Sequence, residues 1–155
     1  MSSETPNPRV GVAALIYNSE NKFLTGKRIG SHGAGTLQLP GGHLDYGENL
    51  LACAERETLE ETGLKIRAVK VIAVTNDVFE DEKKHYITIF VRCEMVDGNA
   101  QPQILEPQKC EGWYWKTWED LKQLLPGASQ TEGEKLFLPL VNLLQQTPNL
   151  DDLRL

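Results

Sequence analysis

The acidic run Arg56-Glu57-Thr58-Leu59-Glu60-Glu61 is the part of the sequence whose residue types and spacing best suit chemistry. In a helix, where successive residues turn by about 100°, Glu61 lies about 40° to one side of Glu57 and Glu60 about 60° to the other. Three carboxylates therefore share one arc, and each like-charged pair lowers helix stability by about 0.2–0.5 kcal/mol. Taken alone, such a run is typical of a solvated acidic face.

The residues around the acidic run favour a metal site instead. Hard cations such as Mg²⁺ take oxygen ligands, usually a few carboxylates together with waters and substrate phosphates. A bound cation would cancel the repulsion, and Arg56 can orient a neighbouring carboxylate through paired hydrogen bonds. Upstream, Pro40-Gly41-Gly42 is a loop whose backbone can approach an ion closely, because glycine has no side chain to block it.

The 23 residues from Gly42 to Leu64 resemble the Nudix box, G-x5-E-x7-R-E-U-x-E-E-x-G-U, in which U is a bulky aliphatic residue. Eight of the nine defined positions match in type and spacing: Gly42, Glu48, Arg56, Glu57, Glu60, Glu61, Gly63 and Leu64. Thr58 is the single departure. Because threonine is β-branched and close to valine in volume, we expect a modest change in packing and no loss of a ligand.

This resemblance implies the fold and the cofactor. The expected fold is α+β, with a mixed β-sheet sandwiched between α-helices in a single domain over residues 9–146. The expected cofactor is Mg²⁺, with Mn²⁺ as a substitute. Glu57 and Glu61 are the implied metal ligands, with Glu60 as a ligand or as the group that activates water.

The resemblance also implies supporting residues. Glu48 and Arg56 would hold the helix and its carboxylates in place. A carbonyl from Gly41 or Gly42 would add a ligand, and Glu111 is a candidate acid from outside the box. Hydrolysis follows from charge, because metals can shield the oxygens of a diphosphate, activate water and stabilise the leaving phosphate.

Several strings outside the box are similar to the small MutT-type nucleotide diphosphatases of the Nudix family. They are Gly26-Lys27-Arg28, Gly33 to Leu44, His85 to Phe90, and Glu106 to Trp113. This likeness implies a homodimer that converts dGTP-like or modified purine triphosphates to the monophosphate and pyrophosphate. Two alternatives stay open: a hydrolase of another nucleoside diphosphate-X compound or an isoprenyl diphosphate, and a Nudix module that senses nucleotides without cleaving them.

The candidate substrate contacts are weaker predictions. Arg28 suits a phosphate, since a guanidinium offers bidentate donors, but an exposed strand end is an equal alternative. Leu39 and Thr88 could line a base pocket or belong to the sheet core. Phe137 could close that pocket, and Gly41 is a further candidate contact to the substrate. For Trp113 and Trp115 we favour core packing. The three histidines share no ligand spacing, so no metal is assigned to them.

Composition limits the other possibilities. The 155 residues carry a net charge of −6 and 40% hydrophobic content, as in an ordinary globular domain. The acidity argues against a nucleic-acid partner, which needs a basic face. Three cysteines form neither a disulfide framework nor a CxxC site, so we expect buried thiols. We find no membrane span and no secretory signal, and we expect a cytoplasmic protein, with the nucleus as an alternative.

Periodicity predicts the elements that must position these residues. We predict strands at 9–17, 22–28, 37–40, 66–79, 85–95 and 111–115, and helices at 49–62, 118–125 and 132–146. Asn49 suits the N-cap of the first helix and Gly63 its left-handed C-cap. Residues 1–8 are predicted to be a flexible lead-in, and residues 147–155 a mobile tail.

Overall fold

The computed structural model of the chain describes residues 6–30, 32–127 and 134–147. The strands are β1 (Arg9–Tyr17), β2 (Phe23–Arg28), β3 (Thr36–Gln38), β4 (Gly41–His43), β5 (Ile66–Phe79), β6 (Lys84–Met95), β7 (Cys110–Lys116) and β8 (Lys135–Leu136). The helices are α1 (Leu50–Thr62), α2 (Trp118–Lys122) and α3 (Leu138–Gln146).

The strands form one mixed sheet with β1 near its centre. β1 pairs in parallel with β6, and antiparallel with β2 and β4. The path through the sheet runs β5-β6-β1-β2-β3-β8, with β7 paired to β2. The predicted α+β fold with a mixed sheet between helices is therefore confirmed.

Two hydrophobic cores cover the two faces of this sheet. Alternation along β1 sends Val12, Ala14 and Ile16 to one core, which also contains Cys53 and Ala54 of α1. Leu15 enters the other core, whose remaining buried members come mainly from β2, β3, α2 and α3: Phe23, Leu37, Leu39, Phe90, Trp118, Leu121, Leu136, Leu140, Leu143 and Leu144. Trp113 and Trp115 pack against the α1 core, as predicted, while Tyr114 between them is exposed.

Helix α1 has the caps that its sequence predicts. The Asn49 side chain accepts hydrogen bonds from the N–H groups of Leu51 and Ala52 at 2.8 and 3.3 Å, which satisfies donors that have no partner within the helix. At the other end Gly63 has φ 76°, and its N–H donates to the Leu59 carbonyl at 2.9 Å. These two caps define where α1 begins and ends, and the acidic run lies within those bounds.

The C-terminal helix and β4 differ from the prediction. The helix predicted at 132–146 was wrong at its start, because α3 begins at Leu138 and Lys135–Leu136 forms the short strand β8. Pro139 explains the boundary: proline lacks an N–H and is accepted in the first turn of a helix but not in its interior. The loop predicted at Pro40-Gly41-Gly42 was wrong for its two glycines, which belong to the strand β4 paired to β1.

Other predictions concern the chain as a whole. Cys53, Cys93 and Cys110 are free and buried, as expected, and burial raises the pKa of the Cys53 and Cys93 thiols to about 12. Within the described residues, the structure contains no helix with the length and apolarity that a membrane crossing requires. The predicted lead-in and tail lie largely outside the described residues.

Candidate active site

A cleft of about 560 Å³ opens between the sheet and the start of α3. Its walls come from β1, from the β2–β3 and β3–β4 regions, from β6, and from one end of α1. Eight residues that the sequence predicts for the site line this cleft: Arg28, Leu39, Gly41, Gly42, Glu57, Glu61, Thr88 and Phe137. The fold thus brings parts of the acidic helix and the candidate substrate residues to one concavity.

Glu61 is the most deeply buried carboxylate of the acidic run. Burial raises its pKa to about 8, although the backbone N–H of Gly41 donates a hydrogen bond to Glu61 Oε1 at 2.9 Å and opposes the shift. The carboxylates of Glu57 and Glu106 raise the pKa further, while Lys109 lowers it. A nearby cation would favour the ionised form of Glu61, and it would thereby offset both the desolvation and the repulsion from Glu57 and Glu106.

Glu57 lies directly against the backbone of Gly42. A Cβ atom built on Gly42 would come within 2.4 Å of Glu57 Oε2, so no larger residue fits there without displacing the carboxylate. Burial raises the pKa of Glu57, and the hydrogen bond and charge of Arg56 oppose that rise. Absence of a side chain at residue 42 therefore lets this carboxylate approach β4.

Arg56 connects the carboxylates of Glu48, Glu57 and Glu60. Its Nε and Nη2 donate to the two Glu48 oxygens at 2.7 and 3.0 Å, and its Nη1 donates to Glu57 Oε1 at 2.8 Å. Nη1 also lies 3.3 Å from both Glu60 oxygens. The bonds from Arg56 lower the pKa of Glu48 to about 2. Glu48 and Arg56 thus hold Glu57 in a fixed orientation.

Glu60 and Glu111 have different surroundings. Glu60 is paired with Arg56 and its side chain is 51% exposed. Glu111 is 55% exposed and lies 3.9 Å from Lys27 Nζ. Neither is among the described residues that line the cleft. Glu106, which sequence reasoning passed over, is instead close enough to raise the pKa of both Glu57 and Glu61.

An aromatic cluster forms another part of the cleft wall. Phe79 and Phe137 have ring centroids 5.3 Å apart, and His32 packs edge-on against both, at 4.7 and 5.3 Å. Tyr86 lies 6.1 Å from Phe79 and contacts His43. The Arg28 guanidinium sits 4.2 Å above the Phe137 ring, and its Nε donates to the His32 carbonyl at 2.9 Å.

Comparisons with known proteins show the family of the chain. The model of the NUDIX domain matches residues 7–138 of the chain. The chain belongs to the Nudix family. A MutT Nudix hydrolase from Burkholderia pseudomallei is similar, with 29% identity and a TM-score of 0.68, over 80% of this chain and 94% of that one.

Two further solved structures share the fold. A MutT protein from Methanosarcina mazei Go1 has 24% identity and a TM-score of 0.75, over 97% of this chain and 99% of that one. An ADP-ribose pyrophosphatase from Streptococcus suis has 19% identity and a TM-score of 0.59, over 92% and 93%. At these identities the likeness concerns the fold alone.

Glu57 and Glu61 together offer two carboxylates to a divalent cation. In the part of the chain that the structure describes, no three acidic, histidine or cysteine side chains converge to hold an ion by themselves. Glu57 and Glu61 nevertheless line the same cleft, and the charge of Glu57 raises the pKa of Glu61. Mg²⁺ is commonly held by one or two carboxylates, with waters and substrate phosphates completing the shell. The donor set therefore fits such an ion.

Several cleft residues carried no sequence signal. Phe79 and Tyr86 are single members of alternating strand patterns, and His32 lies in a glycine-rich loop. They meet only because β5 pairs with β6 and because the β2–β3 loop reaches that hairpin, where His32 is hydrogen-bonded to Glu82. A pattern along the chain does not contain that contact between distant segments.

Proposed function

We propose that this Nudix hydrolase cleaves the diphosphate linkage of nucleoside triphosphates, with dGTP-like or modified purine triphosphates as substrates and Mg²⁺ as cofactor. The products would be the nucleoside monophosphate and pyrophosphate. The observation that carries the proposal is the pair Glu57 and Glu61, two desolvated carboxylates at one end of a cleft that has an aromatic wall.

The carboxylate end of the cleft supports the assignment of the bond that is broken. Glu57 and Glu61 would hold the cation, Glu60 or Glu106 would act beside them, and a carbonyl of Gly41 or Gly42 would complete the protein ligands. When bound, the metal shields the diphosphate oxygens, lowers the pKa of a bound water and stabilises the leaving phosphate. Glu48 and Arg56 keep the Glu57 carboxylate in place through three hydrogen bonds of 2.7–3.0 Å.

The aromatic wall of the cleft supports the assignment of the organic group. Phe79, Tyr86 and Phe137 offer ring faces and edges to a planar base, an arrangement in which aromatic contacts are favourable. Burial lowers the pKa of Arg28, and the negative charge of Glu61 opposes that change. The same guanidinium lies 4.2 Å from the centre of the Phe137 ring. A cation at this point suits a phosphate group.

A substrate panel with Mg²⁺ tests the proposal. The panel contains dGTP, dATP, dCTP, ADP-ribose and an isoprenyl diphosphate, and release of phosphate or pyrophosphate is measured for the wild type, Glu61→Gln and Glu119→Gln. Glu119 is 77% exposed on α2 and serves as the matched control. We expect dGTP to lead, Glu61→Gln to lose at least about a hundredfold, and the control to keep its rate.

Three outcomes would overturn parts of the proposal. Equal turnover by the wild type and Glu61→Gln would remove the metal assignment. Faster hydrolysis of ADP-ribose or the isoprenyl diphosphate would replace the substrate class. Binding of dGTP without turnover would favour the sensing module. The homodimer, the cytoplasmic location and the use of Mn²⁺ stay predictions, which light scattering, fractionation and metal replacement can test.

A further inference from the structure

Three buried polar side chains and one partly exposed one form a hydrogen-bonded cluster beside the cleft. We call it the Asp77 cluster, and its members are Thr75, Asp77, Thr88 and the partly exposed Asn142. Asp77 is 0% exposed, Thr75 is 1% and Thr88 is 6%. The hydroxyls of Thr75 and Thr88 both donate to Asp77 Oδ2, at 3.0 and 2.6 Å. Asn142 Nδ2 donates to the other carboxylate oxygen, Oδ1, at 2.9 Å.

No ion pair of the described residues includes Asp77. Three neutral donors therefore satisfy this buried carboxylate in place of a cation. Asn142, which also donates to the Asn76 carbonyl at 3.3 Å, ties the cluster to α3. In the low-dielectric interior, a polar network is unfavourable unless its groups are satisfied by hydrogen bonds. A satisfied network holds its side chains in one arrangement.

The direction of the hydrogen bonds matters for the cleft. A threonine hydroxyl has one proton and two lone pairs. Because Thr88 gives its proton to Asp77, the oxygen keeps only lone pairs for any other partner. Thr88 also lines the cleft. A substrate group that reaches Thr88 Oγ1 from the cleft therefore meets a hydrogen-bond acceptor and not a donor.

We infer that Asp77 is a positioning residue that makes Thr88 Oγ1 an obligate acceptor, so that the cleft selects a base carrying an N–H donor at that point. This inference rests on the proposed function and deepens it. Guanine offers two such donors on one edge, the ring N1–H and the 2-amino group. A base with a lone pair in the same place meets the lone pairs of Thr88 and is disfavoured.

Asp77→Asn should reverse this polarity. Asn142 donates towards Oδ1, so the carbonyl oxygen of the new amide keeps that side and its NH₂ group faces the two threonines. The NH₂ group then donates to both hydroxyl oxygens, and the Thr88 proton is released towards the cleft. The buried Thr75 hydroxyl loses its acceptor in this variant, so we expect a lower melting temperature with the fold retained.

The test compares three triphosphates that differ in their donors. These are dGTP, dITP, which lacks the 2-amino group, and the 2,6-diaminopurine analogue, which has a lone pair at N1. In the wild type we expect kcat/KM to fall at least about tenfold for one analogue, which identifies the N–H that Thr88 accepts. Thr88→Val, which removes the acceptor, should bring that ratio within about threefold of unity.

Two further variants separate positioning from a structural role. Asp77→Asn should also abolish the discrimination, and it should favour the diaminopurine analogue if N1–H is the donor. Thr75→Val removes the other hydroxyl on Asp77 Oδ2, yet Thr75 is outside the lining of the cleft, so the wild-type ratio should persist. Thermal melts of all variants report folding independently.

Failure of the inference differs from failure of the proposed function. Turnover of all three triphosphates with equal kcat/KM, or a ratio that survives in Thr88→Val and Asp77→Asn, would overturn the role of Asp77. Absence of any triphosphate turnover would instead overturn the proposed function. The corresponding monophosphates would then be titrated by calorimetry, and equal affinities in the wild type would overturn the inference as well.

Discussion

The backbone N–H of Gly41 donates a hydrogen bond to Glu61 Oε1 at 2.9 Å. This bond joins β4 to the last turn of α1 and holds the carboxylate at the edge of the cleft. A single N–H group stabilises an ionised carboxylate only in part, since burial still raises the pKa of Glu61 to about 8. In the metal-free protein, ionisation of Glu61 therefore lowers the free energy of unfolding.

Glu61→Gln should stabilise the metal-free protein at alkaline pH. The ordinary pKa of 4.5 applies to the unfolded chain, and the folded value is about 8. Below pH 4.5 both states are protonated and the carboxyl has no net effect, whereas between pH 4.5 and 8 its ionisation increasingly favours unfolding. The advantage of Glu61→Gln should therefore grow through this window to the order of 5 kcal/mol. Urea unfolding with EDTA at pH 4, 6 and 8.5 measures it.

Mg²⁺ provides the matching control for Glu61. The ion should raise the melting temperature of the wild type at pH 8, because a ligand that binds only the folded state stabilises that state. It should have little effect on Glu61→Gln, which lacks one of the two proposed carboxylate ligands. The interpretation is wrong if Glu61→Gln is as stable as the wild type at every pH, or if Mg²⁺ stabilises both proteins equally.

Gly42→Ala should impair catalysis without unfolding the protein. A Cβ at this position would meet Glu57 Oε2 at 2.4 Å, and the contact is with the end of a side chain, so the carboxylate can move aside. Misplacement of a reacting group by about 1 Å can cost up to about a hundredfold in rate. We expect kcat/KM to fall by about 10- to 100-fold with a nearly unchanged melting temperature.

Two other glycines serve as controls for Gly42→Ala. Among the described atoms, nothing lies within 4 Å of a Cβ built on Gly98, so Gly98→Ala should be neutral. A Cβ on Gly41 would come within 2.0 Å of the Val12 carbonyl oxygen, which belongs to the backbone of β1 and cannot easily yield. Gly41→Ala should therefore reduce stability itself. Similar activity for Gly42→Ala and Gly98→Ala would contradict the account.

Local patterns were sufficient to predict much of the frame. Bounds of β1, α1 and β5 follow directly from periodicity and caps, because Asn49 and Gly63 define the ends of the helix by short-range hydrogen bonds. The C-terminal helix shows the limit. Its amphipathic pattern extended back to residue 132, but Pro139 restricts where the helix can begin.

The site divides along the same line. The spacing within α1 indicated that Glu57 and Glu61 share a face, because both belong to one helix. It did not separate them from Glu60, which Arg56 holds in an exposed position. The aromatic wall and the Asp77 cluster depend on contacts between residues far apart in sequence, such as the 65 positions between Asp77 and Asn142. Periodicity contains no information about such pairings.

Glu106→Gln should weaken catalysis, and Glu111→Gln should not. The Glu106 carboxylate raises the pKa of both Glu57 and Glu61, so it adds negative charge where a cation is proposed. Its loss should lower kcat/KM and Mn²⁺ affinity by about tenfold or more. Glu111 is exposed beside Lys27 and is the matched control. Enzyme assays and Mn²⁺ titration by electron paramagnetic resonance compare the two, and a larger effect at Glu111 would reinstate it as the additional acid.

Thr58→Val should stabilise the protein and leave its activity unchanged. Thr58 is fully buried in α1, and its Oγ1 finds no hydrogen-bond partner among the described residues. An unsatisfied buried hydroxyl is unfavourable, and valine has nearly the same shape without it. We expect a gain of about 0.5–1.5 kcal/mol in the free energy of unfolding, measured by urea titration.

Thr62→Val is the matched opposite, one turn further along α1. The Thr62 hydroxyl is also buried, but it donates to the Thr58 carbonyl at 2.7 Å and accepts from the Leu64 N–H at 3.0 Å. Removing it leaves the N–H group of Leu64 without that acceptor, so this variant should lose about 1–2 kcal/mol. Equal losses in the two variants would mean that the Thr58 hydroxyl has a favourable partner in solution, and that the departure from an aliphatic residue in the box stabilises the helix.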